Sequence, residues 1–168
     1  KAGILEVWRD GDDYRLALPA YPPEPAARAA WTALLGGEPV ERQFHPGRYN
    51  VLLFENAEEV LALKPDMKAL AALGNEQFIC TAPGTGHHSG AEVVSRVFVP
   101  GGGVDEDSVT GSAHAVLTPY WARRLSRDGF TAYQASTRGG YVGCRLDGDK
   151  AWLSGKCVTV VKGTFSLG

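Results

Sequence analysis

Leu5, Val7, Leu16 and Leu18 alternate with polar neighbours, and this period of two predicts strands over residues 3–9 and 14–18. The turn Asp10-Gly11-Asp12-Asp13 between them marks a hairpin. The proline-rich run 19–25 ends this sheet segment. Ala30, Trp31, Leu34 and Leu35 then recur at helical spacing and predict a helix over 26–35, stopped by Gly36-Gly37. A strand is expected over 48–55, a short helix capped by Asn56 and ending before Pro65, and a further helical turn or two over 66–73. Residues 77–81 and 91–99 read as strands, separated by a Pro/Gly loop that contains His87 and His88. Later strands are expected over 130–136, 141–146, 151–153 and 158–161, with Asp147-Gly148-Asp149 as a second hairpin turn.

The segment 111–126 is different. Ala113, Ala115, Val116, Leu117, Tyr120, Trp121, Ala122 and Leu125 make it apolar nearly all round, the mark of a buried helix. Pro119 has no N–H for the carbonyl of Ala115, so a kink or break is expected there. One enclosed helix among many short strands predicts an α+β fold, a strongly curved mixed or antiparallel sheet wrapped around a central helix at about 111–126. No internal repeat and no low-complexity linker is visible.

Composition narrows the picture. A chain of 168 residues buries about 70% of its unfolded surface, enough for a packed core. Seventeen basic against 19 acidic residues give a net charge of -2, so no basic field draws nucleic acid or an anionic membrane. No apolar run approaches the ~20 residues of a membrane span and no signal peptide is visible, so the chain reads as cytoplasmic. Cys80, Cys144 and Cys157 are widely spaced and form no Cys-x-x-Cys pair; they read as small buried hydrophobes rather than disulfides, zinc ligands or catalytic thiols.

Chemistry concentrates in Val104-Asp105-Glu106-Asp107-Ser108-Val109-Thr110-Gly111-Ser112-Ala113-His114, an acidic loop that runs into the start of the buried helix. The first N–H groups of a helix have no internal partner and lie at the positive end of its dipole, so Thr110, Gly111, Ser112 and Ala113 are candidates for binding a carboxylate or phosphate. Asp107 beside them is a candidate acid/base. Asp, Ser and Thr ahead of a helix are also ordinary caps that need no ligand, and both readings stand at this point.

The run 106–114, continued by Leu117-Thr118-Pro119-Tyr120-Trp121-Ala122, resembles the signature of the phenazine-biosynthesis PhzF family of isomerases. Val94-Ser95-Arg96-Val97-Phe98-Val99-Pro100 upstream, Gln134-Ala135-Ser136-Thr137-Arg138-Gly139-Gly140 downstream and Leu153-Ser154-Gly155 resemble the family in the same order. The family usually has Pro where Ser108 stands, which should slightly loosen the loop here, and an Asp near Ala91 or Glu92. The resemblance implies a diaminopimelate-epimerase-like fold of two lobes, each a bent sheet around a helix, with the active site between them. It implies proton transfer on a small carboxylated metabolite without a cofactor. A glutamate from an N-terminal portion removes the proton, Asp107 faces it across the pocket, and Gly111 and Ser112 grip the substrate.

The family's Gly-Asn-Pro loop, catalytic glutamate and Gly-His-Ala-Thr motif do not occur in this chain, whose single methionine is Met67. A missing front part is therefore expected. Residues 1–20 would belong to or adjoin the N-terminal lobe, 21–154 would form the C-terminal lobe, and 155–168 would hold a final strand that returns to the N-terminal lobe. Alone, such a chain is expected to be a poor catalyst and to self-associate or pair with an N-terminal lobe, since it exposes the face that lobe would cover. The alternative is a non-catalytic anion-binding or assembly module derived from the same fold.

Other constellations carry less. Ser112 and His114 lie two apart on a helix and do not face one another, which disfavours a nucleophile and base. His87-His88 with Glu92 fits no zinc spacing, and no metal is expected. Gly84-Thr85-Gly86 with Gly90 misses the dinucleotide fingerprint. Arg138 and Gly139 mark a bulge or tight bend, and only their place in the family pattern makes them candidates for the cleft wall.

Overall fold

The computed structural model describes residues 5–84, 90–164 and 166. The expected strand residues 3 and 4 and the His87-His88 loop lie outside the described residues. Glu6–Asp10 (β1) and Asp13–Pro19 (β2) form the expected hairpin. Glu24–Pro25 (β3) follows, and the helix expected over 26–35 shrinks to a 3-10 segment, Ala30–Leu35. Pro22, Pro23 and Pro25 withhold the donors an α-helix start would use, and Gly36 at φ 78° ends the segment.

Glu41–His45 (β4) was not expected from the pattern, because its residues are almost all polar. It pairs with β3 on one side and Tyr49–Leu53 (β5) on the other. Ala57–Ala62 (α1) is capped by Asn56, whose side chain accepts from Glu59 N at 2.9 Å; Met67–Ala71 (α2) is capped by Asp66 through Ala69 N at 3.0 Å.

Gln77–Pro83 (β6), Val93–Val99 (β7), Val104–Glu106 (β8), Gly111–Leu125 (α3), Gly129–Gln134 (β9), Gly140–Asp147 (β10) and Lys150–Lys156 (β11) complete the described elements. The strand expected over 158–161 does not form. No neighbouring strand pairs with it among the described residues, and Val158, Val160 and Val161 are more than four-fifths exposed.

One open sheet runs β1-β2-β11-β10-β9-β7-β6-β5-β4-β3, with β8 added beside β7. β5 with β6 and β7 with β9 are parallel, and the other pairs are antiparallel. The strand order explains the hydrophobic pattern. Val51, Leu53, Ile79, Val93 and Val97 of β5, β6 and β7 face α3, together with Phe130, Ala132, Val142, Cys144 and Leu153 of β9, β10 and β11. The alternate residues of β5, β6 and β7, among them Leu52, Phe78, Cys80, Val94 and Phe98, pack against α1, α2 and the 3-10 segment. Those three strands are covered on both faces, so they read as largely apolar runs, interrupted in β7 by Ser95 and Arg96, whereas β9 alternates. The sheet therefore curls around α3 without closing.

Pro119 does not break α3, which continues as one helix from Gly111 to Leu125. The carbonyl of Ala115 that Pro119 leaves free accepts instead from Tyr21 N at 3.0 Å, which ties the segment after β2 to the helix. No helix of the described residues is long and apolar enough to cross a membrane.

Candidate functional site

The short strand β8 delivers the chain to the N-terminus of α3, and four residues, 107–110, form the turn between them. Asp107 is half-buried in this turn. Its N–H donates to Val97 O at 3.0 Å, which holds it against the end of β7. One carboxylate oxygen, Oδ1, accepts from Ser108 N at 2.8 Å, and Oδ2 accepts from the Thr110 hydroxyl at 2.6 Å. The backbone N–H of Ser108 thus donates a bond to the carboxylate that a proline at this position could not make.

Thr110 is the N-cap residue of α3, yet its side chain makes no cap bond, because its hydroxyl is turned onto Asp107. Its N–H donates to Gln134 Oε1 at 2.8 Å. The N–H groups of Gly111, Ser112 and Ala113 meet no acceptor among the described residues, and the ladder of α3 begins with His114 N to Thr110 O at 3.2 Å. Of the four residues expected to bind an anion, Thr110 therefore has its own donors engaged, while the other three carry unpaired amides at the positive end of a 15-residue helix, those of Gly111 and Ser112 on partly exposed residues and that of Ala113 on a buried one. Ser112 Oγ accepts from Gln77 Nε2 at 3.3 Å, which leaves its own hydrogen to donate.

The turn after β9 packs on the same loop. Ser136 Oγ donates to Ser108 O at 2.8 Å and accepts from Gly139 N at 3.0 Å, and a Cβ at Gly140 would stand 2.6 Å from Val109 Cγ2. Gly139 sits at φ +66° with Tyr133 Oη where a Cβ would go. Gly139 is thus brought to the Asp107 loop, while Arg138 is exposed and makes no ion pair among the described residues. Gln77, Gln134 and Ser136 were not singled out from the sequence as site residues. For Gln134 a signal existed, since Phe130, Ala132 and Gln134 fall on the buried face of β9, where an amide needs partners.

His114 is fully buried. Its Nδ1 lies 2.8 Å from Thr110 O, a carbonyl, so Nδ1 carries the hydrogen and Nε2 is a lone pair with no partner among the described residues. Ser112 and His114 take separate partners and form no catalytic pair. Burial pushes the His114 pKa below the usual histidine value, with the Thr110 carbonyl acting in the opposite sense. The unfolded chain takes up this proton near pH 6.5 and the folded chain resists it, so this contribution to stability is complete above about pH 6.5 and is lost as the pH falls below it. The expected slope reaches at most about 1.4 kcal/mol per pH unit. Urea midpoints of the wild type and His114→Gln between pH 8 and 5 check it; equal slopes for the two would contradict the assignment.

Burial raises the Cys144 thiol to about 12 and pushes Cys80 up as well, away from the reactive thiolate. Glu92 pairs with Arg127 and accepts from Thr131 N at 3.0 Å, joining the start of β7 to β9. No group of three or more metal-ligating side chains occurs among the described residues. A groove of about 380 Å³ on the sheet, lined by Arg15, Gly143, Arg145, Trp152 and Ser154, lies apart from the Asp107 loop.

A family model described as phenazine biosynthesis-like protein matches residues 25–163. An uncharacterized isomerase of Pseudomonas aeruginosa is 42% identical over 168 residues, covering 99% of this chain and 62% of that protein. One from Halalkalibacterium halodurans is 33% identical, covering 99% of this chain and 63% of that protein. The crystal structure of a phenazine biosynthesis protein of the PhzF family from Enterococcus faecalis superposes with a TM-score of 0.84 at 34% identity, over 97% of this chain and 61% of that one. The chain thus spans somewhat less than two thirds of the length of these relatives. It belongs to the phenazine biosynthesis-like PhzC-PhzF family.

Proposed function

We propose that this chain is the C-terminal part of a PhzF-type isomerase that moves a proton between carbons of a small carboxylated metabolite. The observation that carries the reading is the pairing of three unclaimed amides, those of Gly111, Ser112 and Ala113, with a carboxylate at Asp107 whose orientation is fixed from both oxygens. The amides and the Ser112 hydroxyl hold the substrate carboxylate and stabilise charge that builds toward it. Asp107 accepts or returns a proton, or orients the group that carries it. Removal of a proton from one carbon and its return to another balances without an oxidant, so the chemistry calls for no cofactor. The names of the Pseudomonas and Halalkalibacterium relatives, both isomerases, support this class of reaction.

In this reading the fold is one diaminopimelate-epimerase-like lobe. A second lobe, carrying the principal glutamate, would come from the part of the relatives that this chain does not span, and would pack on the β1–β2 hairpin and the residues that follow β11. The uncovered Val7, Val158, Val160 and Val161 support that placement.

The test is isotope exchange. A protein that joins this chain to a glutamate-bearing front half should incorporate solvent deuterium into a dihydro-hydroxy aromatic acid. If small carboxylates bind tightly, yet neither the chain nor its complex with an N-terminal lobe exchanges any proton, the anion-binding module is the right description.

A further inference from the structure

We propose that Gln134 is the positioning residue of this site. It turns the Thr110 hydroxyl onto Asp107 and thereby keeps the first amides of α3 open. This role rests on the anion-site reading above.

Gln134 ends β9 with no exposed surface, on a face otherwise built from Phe130 and Ala132. A buried amide is costly unless each of its groups is bonded, and here each is. Thr110 N–H can only donate, so the atom 2.8 Å from it is the oxygen of Gln134, and the orientation of the amide follows. Its nitrogen then donates to Asp107 O at 2.8 Å and to Thr110 Oγ1 at 3.1 Å. Because Thr110 Oγ1 accepts from Gln134, its single hydrogen is left to donate to Asp107 Oδ2, 2.6 Å away. The bonds run in one direction, from amide to hydroxyl to carboxylate, and each strengthens the next.

The consequence lies at the helix end. A threonine at the N-cap ordinarily turns its hydroxyl oxygen onto the amides of the first turn and closes them. Thr110 does not, because that oxygen is held between Gln134 and Asp107. One buried amide thus sets the direction of the carboxylate and prevents the helix from capping itself.

Gln134→Glu separates this role from simple packing. The protonated side chain keeps the carbonyl that accepts from Thr110 N and one O–H that donates to Thr110 Oγ1, one donor fewer than the amide, so the bond to Asp107 O is given up. The ionised side chain only accepts, so the Thr110 hydroxyl turns toward it and away from Asp107. Burial, and the Asp107 carboxylate beside it, both raise the pKa of such a carboxyl above that of a free glutamate.

The probe is sodium benzoate, titrated into the full chain with the amide resonances of Gly111, Ser112 and Ala113 as readout. The wild type should change affinity less than about threefold between about pH 5 and about pH 8, whereas the variant should bind within about threefold of it at the lower pH and about tenfold more weakly than that at the higher. Gln134→Leu should lose binding at both pH values and lose exchange protection at the Thr110 amide, while the Phe130 and Ala132 amides stay protected. A variant that binds like the wild type at both pH values, or weakly at both with no recovery in acid, overturns the positioning role. A wild type whose three amides do not respond to benzoate overturns the anion-site reading itself, and the role of Gln134 falls with it.

Discussion

Asp107→Ala is expected to lower proton exchange by a protein that joins this chain to a glutamate-bearing front half by about 10²- to 10⁴-fold, the range for loss of a positioned acid/base group. The substitution removes the acceptor for both Ser108 N and the Thr110 hydroxyl, so part of its effect comes from a looser turn. Asp107→Asn separates the two causes. It keeps a carbonyl oxygen for one of those donors but cannot take up a proton. Equal losses in kcat for the two variants assign Asp107 to proton transfer, and a loss confined to alanine assigns it to orientation. Deuterium exchange into substrate, followed at saturating and limiting concentrations, distinguishes kcat from KM. A variant lacking the side chain that turns over within about twofold of the wild type would remove Asp107 from the mechanism, since a group acting in the transition state must cost more than that.

Arg96→Ala is expected to destabilise the fold by about 3 to 5 kcal/mol, the cost of leaving one member of a buried ion pair alone. Arg96 and Glu106 are 15% and 19% exposed and meet twice, through Nε to Oε1 at 2.7 Å and Nη2 to Oε2 at 3.0 Å. The remaining nitrogen, Nη1, donates to the carbonyls of Leu63, Leu61 and Val60 at 2.9, 3.3 and 3.4 Å, where the end of α1 leaves acceptors without helical partners. The guanidinium also lies 4.8 Å from the Phe98 ring centroid. Lysine has neither the planar fork nor the number of donors, so Arg96→Lys should recover only a small part of the loss. Arg96→Met combined with Glu106→Leu should be markedly more stable than Arg96→Ala, because it buries no charge. Denaturant midpoints read all three. A loss below about 1 kcal/mol for Arg96→Ala would mean that the pair is solvated, as surface pairs are. The site depends on this pair, for Glu106 is the residue before Asp107 and anchors the end of β8.

Much of the scaffold was legible because burial leaves a plain signature. The apolar run in α3 has hydrophobic neighbours on nearly every side, and the largely apolar strands β5, β6 and β7 are covered on both faces. Asn56 and Asp66 announced their helices by the chemistry of a cap. What stayed hidden depends on distant partners. β4 is polar because its side chains meet other polar groups, such as Arg42 with Asn50 and Gln43 with Arg123, and no local pattern encodes them. The valines at 158–161 have β propensity but no pairing edge, and propensity without a partner makes no strand. Pro119 predicted a break, but Tyr21, almost a hundred residues earlier, supplies the missing donor.

The candidate site divides the same way. The acidic loop and the helix start were visible as a local string, and so was Asp107. Which amides remain open was not, because that is decided by Gln134, 24 residues away in sequence and on a different strand. The bond from Ser108 N to the Asp107 carboxylate is likewise a matter of turn geometry that the residue string does not show.

The central claim is that the start of α3 binds a carboxylate beside Asp107, and a crystal structure of this chain soaked with a small aromatic acid tests it most directly. The account predicts the ligand's carboxylate oxygens within hydrogen-bond distance of the Gly111, Ser112 and Ala113 amides, with its ring reaching past Asp107. A ligand seated only in the groove between Arg15 and Arg145, with those three amides closed by the protein's own oxygens, would contradict it.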